Sequence, residues 1–167
     1  MIPTIRIEEN KVLEDRISKS KKHPSKVIAS FIIELFGNQK FEMSDGLKII
    51  IDNTDSKKLS LTPSKKRRLA LGNLRNLIDI AVYGHSDMEA THKKFKSFRY
   101  YFVNIEFGDD AYEICLNVGT NKYDGKNHLY AITEGTPTNY GDSRLQLDNV
   151  KGGFSIQDVP SNKNISQ

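Results

Sequence analysis

Apolar residues recur at two periods along this chain, and each period marks out elements. Ile28, Phe31, Ile32 and Leu35 fall at i, i+3, i+4 and i+7, the spacing of one helix face. Pro24 suits a first helical turn, where its missing N–H costs nothing, and Gly37 suits a C-terminal cap. The spacing predicts an amphipathic helix over 24–36. Leu74, Leu77, Ile78 and Ala81 repeat in the same way, with Ala70 one turn earlier. Thr62 as N-cap and Pro63 at the first helical position start this second helix, which ends near Tyr83-Gly84. After Phe98 the period drops to two. Val103, Ile105 and Phe107 alternate with Phe102, Asn104 and Glu106 up to a Gly108-Asp109-Asp110 turn. Tyr112, Ile114, Leu116 and Val118 then alternate with Ala111, Glu113, Cys115 and Asn117. Such alternation describes antiparallel strands with one covered face. Asp124-Gly125 marks another turn before a strand over 128–133, and residues 39–53 read as a hairpin around Ser44-Asp45-Gly46.

These elements predict an α+β fold with N-terminal helices packed on a twisted antiparallel sheet of about four strands. Residues 1–22 are polar and charged and read as an irregular or partly helical arm. Residues 53–63 read as loop, 23–159 as a single domain with one further strand around 154–159, and 160–167 as a disordered tail. A length of 167 residues suits this single-domain reading.

Composition narrows the chemistry. The only cysteine, Cys115, excludes an intrachain disulfide and a thiolate zinc site, and its place in a strand suits core or sheet face. There is no HExxH, no CxxC and no acidic pair close to a histidine, so neither metal nor cofactor is expected. P-loop, GxGxxG and GxSxG motifs are also absent. No apolar run is long enough to span a bilayer, and the N-terminus MIPTIRIEENKVLEDR lacks the apolar stretch of a signal peptide. No membrane contact is therefore expected; if the protein is exported, something else exports it, or the chain is a piece of a longer polypeptide. A net charge of +4 points toward a polyanionic partner, although many soluble proteins are as basic.

Two basic segments localise that charge. Lys65, Lys66, Arg67 and Arg68 occupy the first turns of the second helix, and seven bases with no acid lie between Ser56 and Arg75. Cations oppose the macrodipole at a helix N-terminus, so a bound phosphate would relieve the repulsion; a solvated charged face is the plain alternative. The second segment holds His92 with Lys93, Lys94, Lys96 and Arg99. Neighbouring cations favour neutral imidazole, the general base needed to take a proton from a ribose 2′-hydroxyl, and Arg or Lys would stabilise the pentacovalent phosphate. An exposed loop histidine without a role is the alternative. His128 is a candidate catalytic acid on the last strand, against a structural histidine. Aromatic residues on the strands are read mainly as core, with base stacking the lesser expectation.

The runs DGLKIIID (45–52), LALGNLRNLIDIAVY (69–83), HKKFKSFRYYFVNIEFGDDAYEICLNV (92–118) and HLYAITE (128–134) resemble a module at the C-terminal ends of phage-derived and large polyvalent mobile-element proteins. Those modules are similar to the barnase/EndoU/colicin/RelE superfamily of small α+β ribonucleases, which also supplies toxin tips of polymorphic and contact-dependent inhibition systems. The resemblance implies an RNA cleft on the open face of the sheet. It implies catalytic roles for His92, Arg99, Tyr101 and Thr133, with His128 as candidate for the second histidine, because Phe98-Arg99 stands where many relatives have a His. The activity expected is metal-independent cleavage of tRNA or another RNA, with an acidic immunity protein as partner. A non-catalytic nucleic-acid-binding module and a structural mobile-element component are the alternatives.

Overall fold

The computed structural model describes residues 1–61 and 64–135. Expectations for a strand at 154–159 and a tail at 160–167 lie outside the described residues. The protein is α+β, and among the described residues five helices pack on a mixed five-stranded sheet. Its spine is a hairpin of two long strands, β5 (Phe95–Phe107) and β6 (Asp110–Asn121), paired antiparallel from Phe95↔Asn121 to Phe107↔Asp110. Gly108 closes the hairpin with φ of 60°, a left-handed conformation that favours glycine. Strand β7 (Asn127–Glu134) lies antiparallel on the far side of β6. The other edge of β5 is shared by two short strands. β4 (Val82–Asp87) pairs antiparallel along Phe98–Phe102, and β1 (Thr4–Arg6) pairs parallel along Asn104–Glu106.

Alternation along the hairpin assigns the sheet faces. Tyr101, Val103, Ile105, Ile114, Leu116 and Val118 meet the helices in the main core. Phe98, Tyr100, Phe102 and Cys115 point the other way and form a second buried cluster with Phe95 and Tyr130. The sheet is thus buried on both faces rather than one. Helix α2 (Pro24–Phe36) has the predicted limits and sinks Ile28, Phe31 and Ile32 into the core, while Phe36 is buried in place of the half-exposed Leu35. The predicted hairpin forms from β2 (Phe41–Glu42) and β3 (Lys48–Ile49).

Four expectations are corrected. The segment at 1–22 is partly helical, as expected, through α1 (Lys11–Lys19), but it is part of the fold rather than an arm: β1 joins the sheet, and Ile7 and Leu13 are buried. The polar stretch after 52 is helix α3 (Asn53–Leu59), because Asp52 and Asp55 form a reciprocal capping box. The second long helix is two, α4 (Lys65–Gly72), capped by Ser64, and α5 (Leu74–Ile80). Asn73 separates them and donates from Nδ2 to the Glu8 and Leu69 carbonyls. Finally, the helix stops at Ile80 rather than near Tyr83-Gly84, and Val82–Asp87 before the His92 segment is an edge strand, where a Cβ on Gly84 would stand 2.3 Å from the Phe102 ring.

The first and third corrections share a cause: the N-terminal segment binds the α4–α5 junction. Asn10 donates from Nδ2 to the Gly72 carbonyl at 2.9 Å and accepts from the Leu13 amide with Oδ1. A Cβ on Gly72 would stand 2.9 Å from the Asn10 Cβ, so glycine permits the approach. Glu14 and Arg68 form a two-pronged pair across the same junction. Leu13 is fully buried, so Leu13→Ala is expected to destabilise the protein by roughly 2–5 kcal/mol in urea denaturation. A peripheral arm would leave the midpoint unchanged.

Candidate functional site

The clearest cluster of ionisable side chains gathers around His128, at the turn end of the sheet. His128 lies on β7 opposite Gly119 and is 3% exposed. Its Nδ1 stands 2.7 Å from Asp55 Oδ2 and 3.7 Å from Asp52 Oδ2, and its Nε2 is 3.0 Å from Asp124 Oδ2. Three elements bring these groups together. The capping box of α3 fixes Asp52 and Asp55, since each carboxylate accepts the other's backbone amide. The turn before β7 supplies Asp124, whose Oδ1 accepts from the Lys126 amide at 2.7 Å. A short parallel bridge between Ile50 and His128 locks the start of α3 to β7.

Electrostatics follows from the packing. Hydrogen bonding and charge from Asp55, reinforced by Asp124, raise the His128 pKa to about 9 against the opposing effect of burial. Burial pushes the Asp55 carboxyl up despite its imidazolium partner. Asp124 is held below the usual carboxylate range by the Lys126 amide and His128, which outweigh its slight desolvation. Beside this cluster lies a cleft of about 500 Å³, lined by Asp52, Asp124, Asn38, Gln39, Lys40, Asn53 and Lys126 among others.

The predicted site residues do not converge on one place. His92 shares the aromatic face with Phe95, Phe98 and Tyr130. Its Nδ1 accepts from the Lys94 and Phe95 amides, which leaves the neutral ring's proton on Nε2, donating to the Tyr130 hydroxyl at 3.0 Å. That arrangement closes a turn and occupies the nitrogen a general base would use. Arg99 and Tyr101 share the parity of the opposite, helix-covered face. Tyr101 is fully buried and donates to Asp45, and burial with that carboxylate pushes its pKa far up. Thr133 is buried opposite Cys115 and donates to the Gly135 carbonyl. Of the expected catalytic groups, His128 alone touches the acidic cluster.

The two basic segments also separate. Lys65 lies over the Phe107 ring and Lys66 over the Tyr112 ring, at the Gly108 end of the hairpin. Lys94 bonds through its carbonyl to the Lys122 amide, at the Phe95 end. Twelve residue steps at roughly 3.3 Å place these ends about 40 Å apart. The α4 cations are largely engaged: Lys66 pairs with Glu134 at 2.7 Å, Arg68 with Glu14, and Arg67 donates to the Leu61 carbonyl. Among the described residues most lysines, Lys65 included, form no salt bridge; at the Phe95 end Lys40, Lys94, Lys96, Lys122 and Lys126 are of this kind, and all but the half-buried Lys94 are exposed.

Asp52, Asp55 and Asp124 were not among the candidate site residues of the sequence, where Asp124 marked only a turn. Asp55 and His128 are 73 positions apart, so spacing gives no hint of their contact. The legible signal was Asp-x-x-Asp ahead of a helical segment, a capping pattern. Compared with protein families, curated proteins and solved structures, the chain matches none. Among the described residues, no helix is long and apolar enough to cross a membrane.

The His128 pKa is raised from 6.5 to about 9, so its stabilising contribution is complete below pH 6.5 and is lost as pH rises through 9. Asp124 acts oppositely, with a contribution present above pH 3.8 and lost in acid. Melting temperature is therefore expected to fall between pH 7 and 10, and His128→Gln to flatten that fall. Parallel curves for the two proteins would contradict the assignment.

Proposed function

We propose that this protein is an RNA-binding module whose contact surface is the Phe95 end of the sheet. The observation that carries the reading is that the lysines gathered there around one cleft and strand end form no salt bridge, whereas Lys66 and Arg68 at the Gly108 end are paired with carboxylates. Lys94 and Lys122 meet through a backbone hydrogen bond, Lys40 and Lys126 line the cleft, and Lys58 covers the Tyr130 ring. Unpaired ammonium groups attract phosphates and release condensed counterions on binding, whereas the paired Lys66 and Arg68 would have to give up carboxylate partners first. An acidic protein would complement the same surface, as would be needed of an immunity partner. Action in a bacterial cytoplasm, the producer's or a target's, accords with an RNA partner such as tRNA.

Phosphodiester cleavage is the second reading. It is favoured by Asp52 and Asp124, two carboxylates of the His128 cluster that border the cleft, and by the resemblance to small α+β ribonucleases. It shifts the expected chemistry from His92 to His128.

One experiment addresses both readings. Binding of a fluorescent single-stranded RNA is followed by anisotropy across a salt series, with product sizes checked on a gel in EDTA. Affinity is expected to fall linearly on logarithmic axes. K94Q, K122Q and K126Q should each reduce the slope by about 0.7 if a phosphate contact is lost, while K65Q leaves it unchanged. Salt-independent binding or no binding would refute the RNA-binding proposal. EDTA-resistant fragments that disappear in His128→Gln would establish the second reading, and intact RNA would refute it.

A further inference from the structure

The cluster around His128 holds more negative charge than a clasp between α3 and β7 needs. One carboxylate, Asp55, suffices to pair with the ring at 2.7 Å, and Asp124 takes the other nitrogen at 3.0 Å. Asp52 adds a third. Its Oδ1 is used by the Asp55 amide, but Oδ2 accepts no hydrogen bond among the described residues and stands 3.7 Å from His128 Nδ1. Three carboxylates around one imidazolium leave a net charge of about −2, with Asp55 5% exposed and Asp52 and Asp124 on the solvent side of the cluster.

We propose that Asp52, Asp55 and His128 form a binding site for one divalent transition-metal ion of the zinc class. One donor atom from each of the three residues can be chosen so that all lie within 4.8 Å of one another. Around a tetrahedral zinc ion, N and O donors at about 2.0–2.2 Å lie roughly 3.4 Å apart. The observed separations of 2.7 and 3.7 Å from Nδ1 bracket that value, so small side-chain shifts admit the ion. On binding, Nδ1 gives its proton to solvent and the metal takes its place between ring and carboxylates.

The surroundings match what such an ion requires. A ligating histidine commonly donates its other N–H to a carboxylate, which fixes the ring; here Nε2 meets Asp124 Oδ2, itself anchored by its turn. The backbone amides of the capping box orient both acidic ligands from behind. Asp52 also lines the cleft, so remaining coordination positions open toward it and are available to water or a ligand oxygen. One imidazole with two carboxylates favours zinc-like ions over Mg²⁺ or Ca²⁺, which prefer oxygen alone. The site does not depend on whether the lysine-rich end takes RNA.

Equilibrium dialysis of the full chain against Zn²⁺, with bound metal measured by mass spectrometry, tests the proposal. One ion per chain is expected, with Mg²⁺ failing to compete. Asp52→Asn keeps a good helix cap and should fold, shown by an unchanged circular dichroism spectrum, yet bind far more weakly. His128→Gln should abolish binding, while His23→Gln and Asp109→Asn, remote from the cluster, retain it. The proposal is overturned if the wild type takes up no stoichiometric zinc, or if folded Asp52→Asn and His128→Gln bind it as well as the wild type does.

Discussion

Burial of both faces of the β5–β6 hairpin is the constraint on which the remaining structure depends. A strand covered on one side needs apolar residues at every second position; these strands need them at nearly every position across their middle. The run Phe98 to Phe102 meets that need, with Tyr101 facing the helices and Phe98, Tyr100 and Phe102 facing away. A slip of one residue would exchange the two sets and bring Asn104 and Asn117 into the helix-side core, so register is strongly specified. Once register is set, β1 and β4 can only share the remaining edge of β5, and β7 takes the free edge of β6.

The same hairpin sorts the polar chemistry by distance. Its length carries Lys65 and Lys66 to one end and Lys94 to the other, so the two basic segments lie at opposite ends of the sheet. Its two faces divide the expected catalytic groups, with His92, His128 and Thr133 on one side and Arg99 and Tyr101 on the other. His92 is consumed in holding the turn that starts β5. His128 instead meets α3, where a helix cap has already fixed two carboxylates. The acidic cluster arises because a capping box, a tight turn and a strand end meet at the bridge between Ile50 and His128.

Much of the fold was legible in local patterns. The limits of α2 came from apolar spacing bracketed by Pro24 and Gly37, and the β5–β6 and β6–β7 turns from their glycines. The elements misread were those whose local pattern is weak or ambiguous. Helix α3 buries only Asp55, Ser56 and Leu59, too few to show a period. The break at Asn73 reflects the neighbouring N-terminal segment, since its side chain bonds to Glu8. Edge strand β4 continues an apparent helix and becomes a strand by pairing with β5.

The sequence by itself determined the α+β class, the central hairpin with its register, and the basic character of the chain, because these follow from spacing along the backbone and from composition. Only the tertiary structure decided which charged groups are neighbours. It paired Lys66 with Glu134 and Arg68 with Glu14, left Lys94, Lys122 and Lys126 without salt bridges, and set His128 among three carboxylates. Proximity between residues as distant as Asp55 and His128 is created by strand pairing and helix packing, and charge acts through space rather than along the chain.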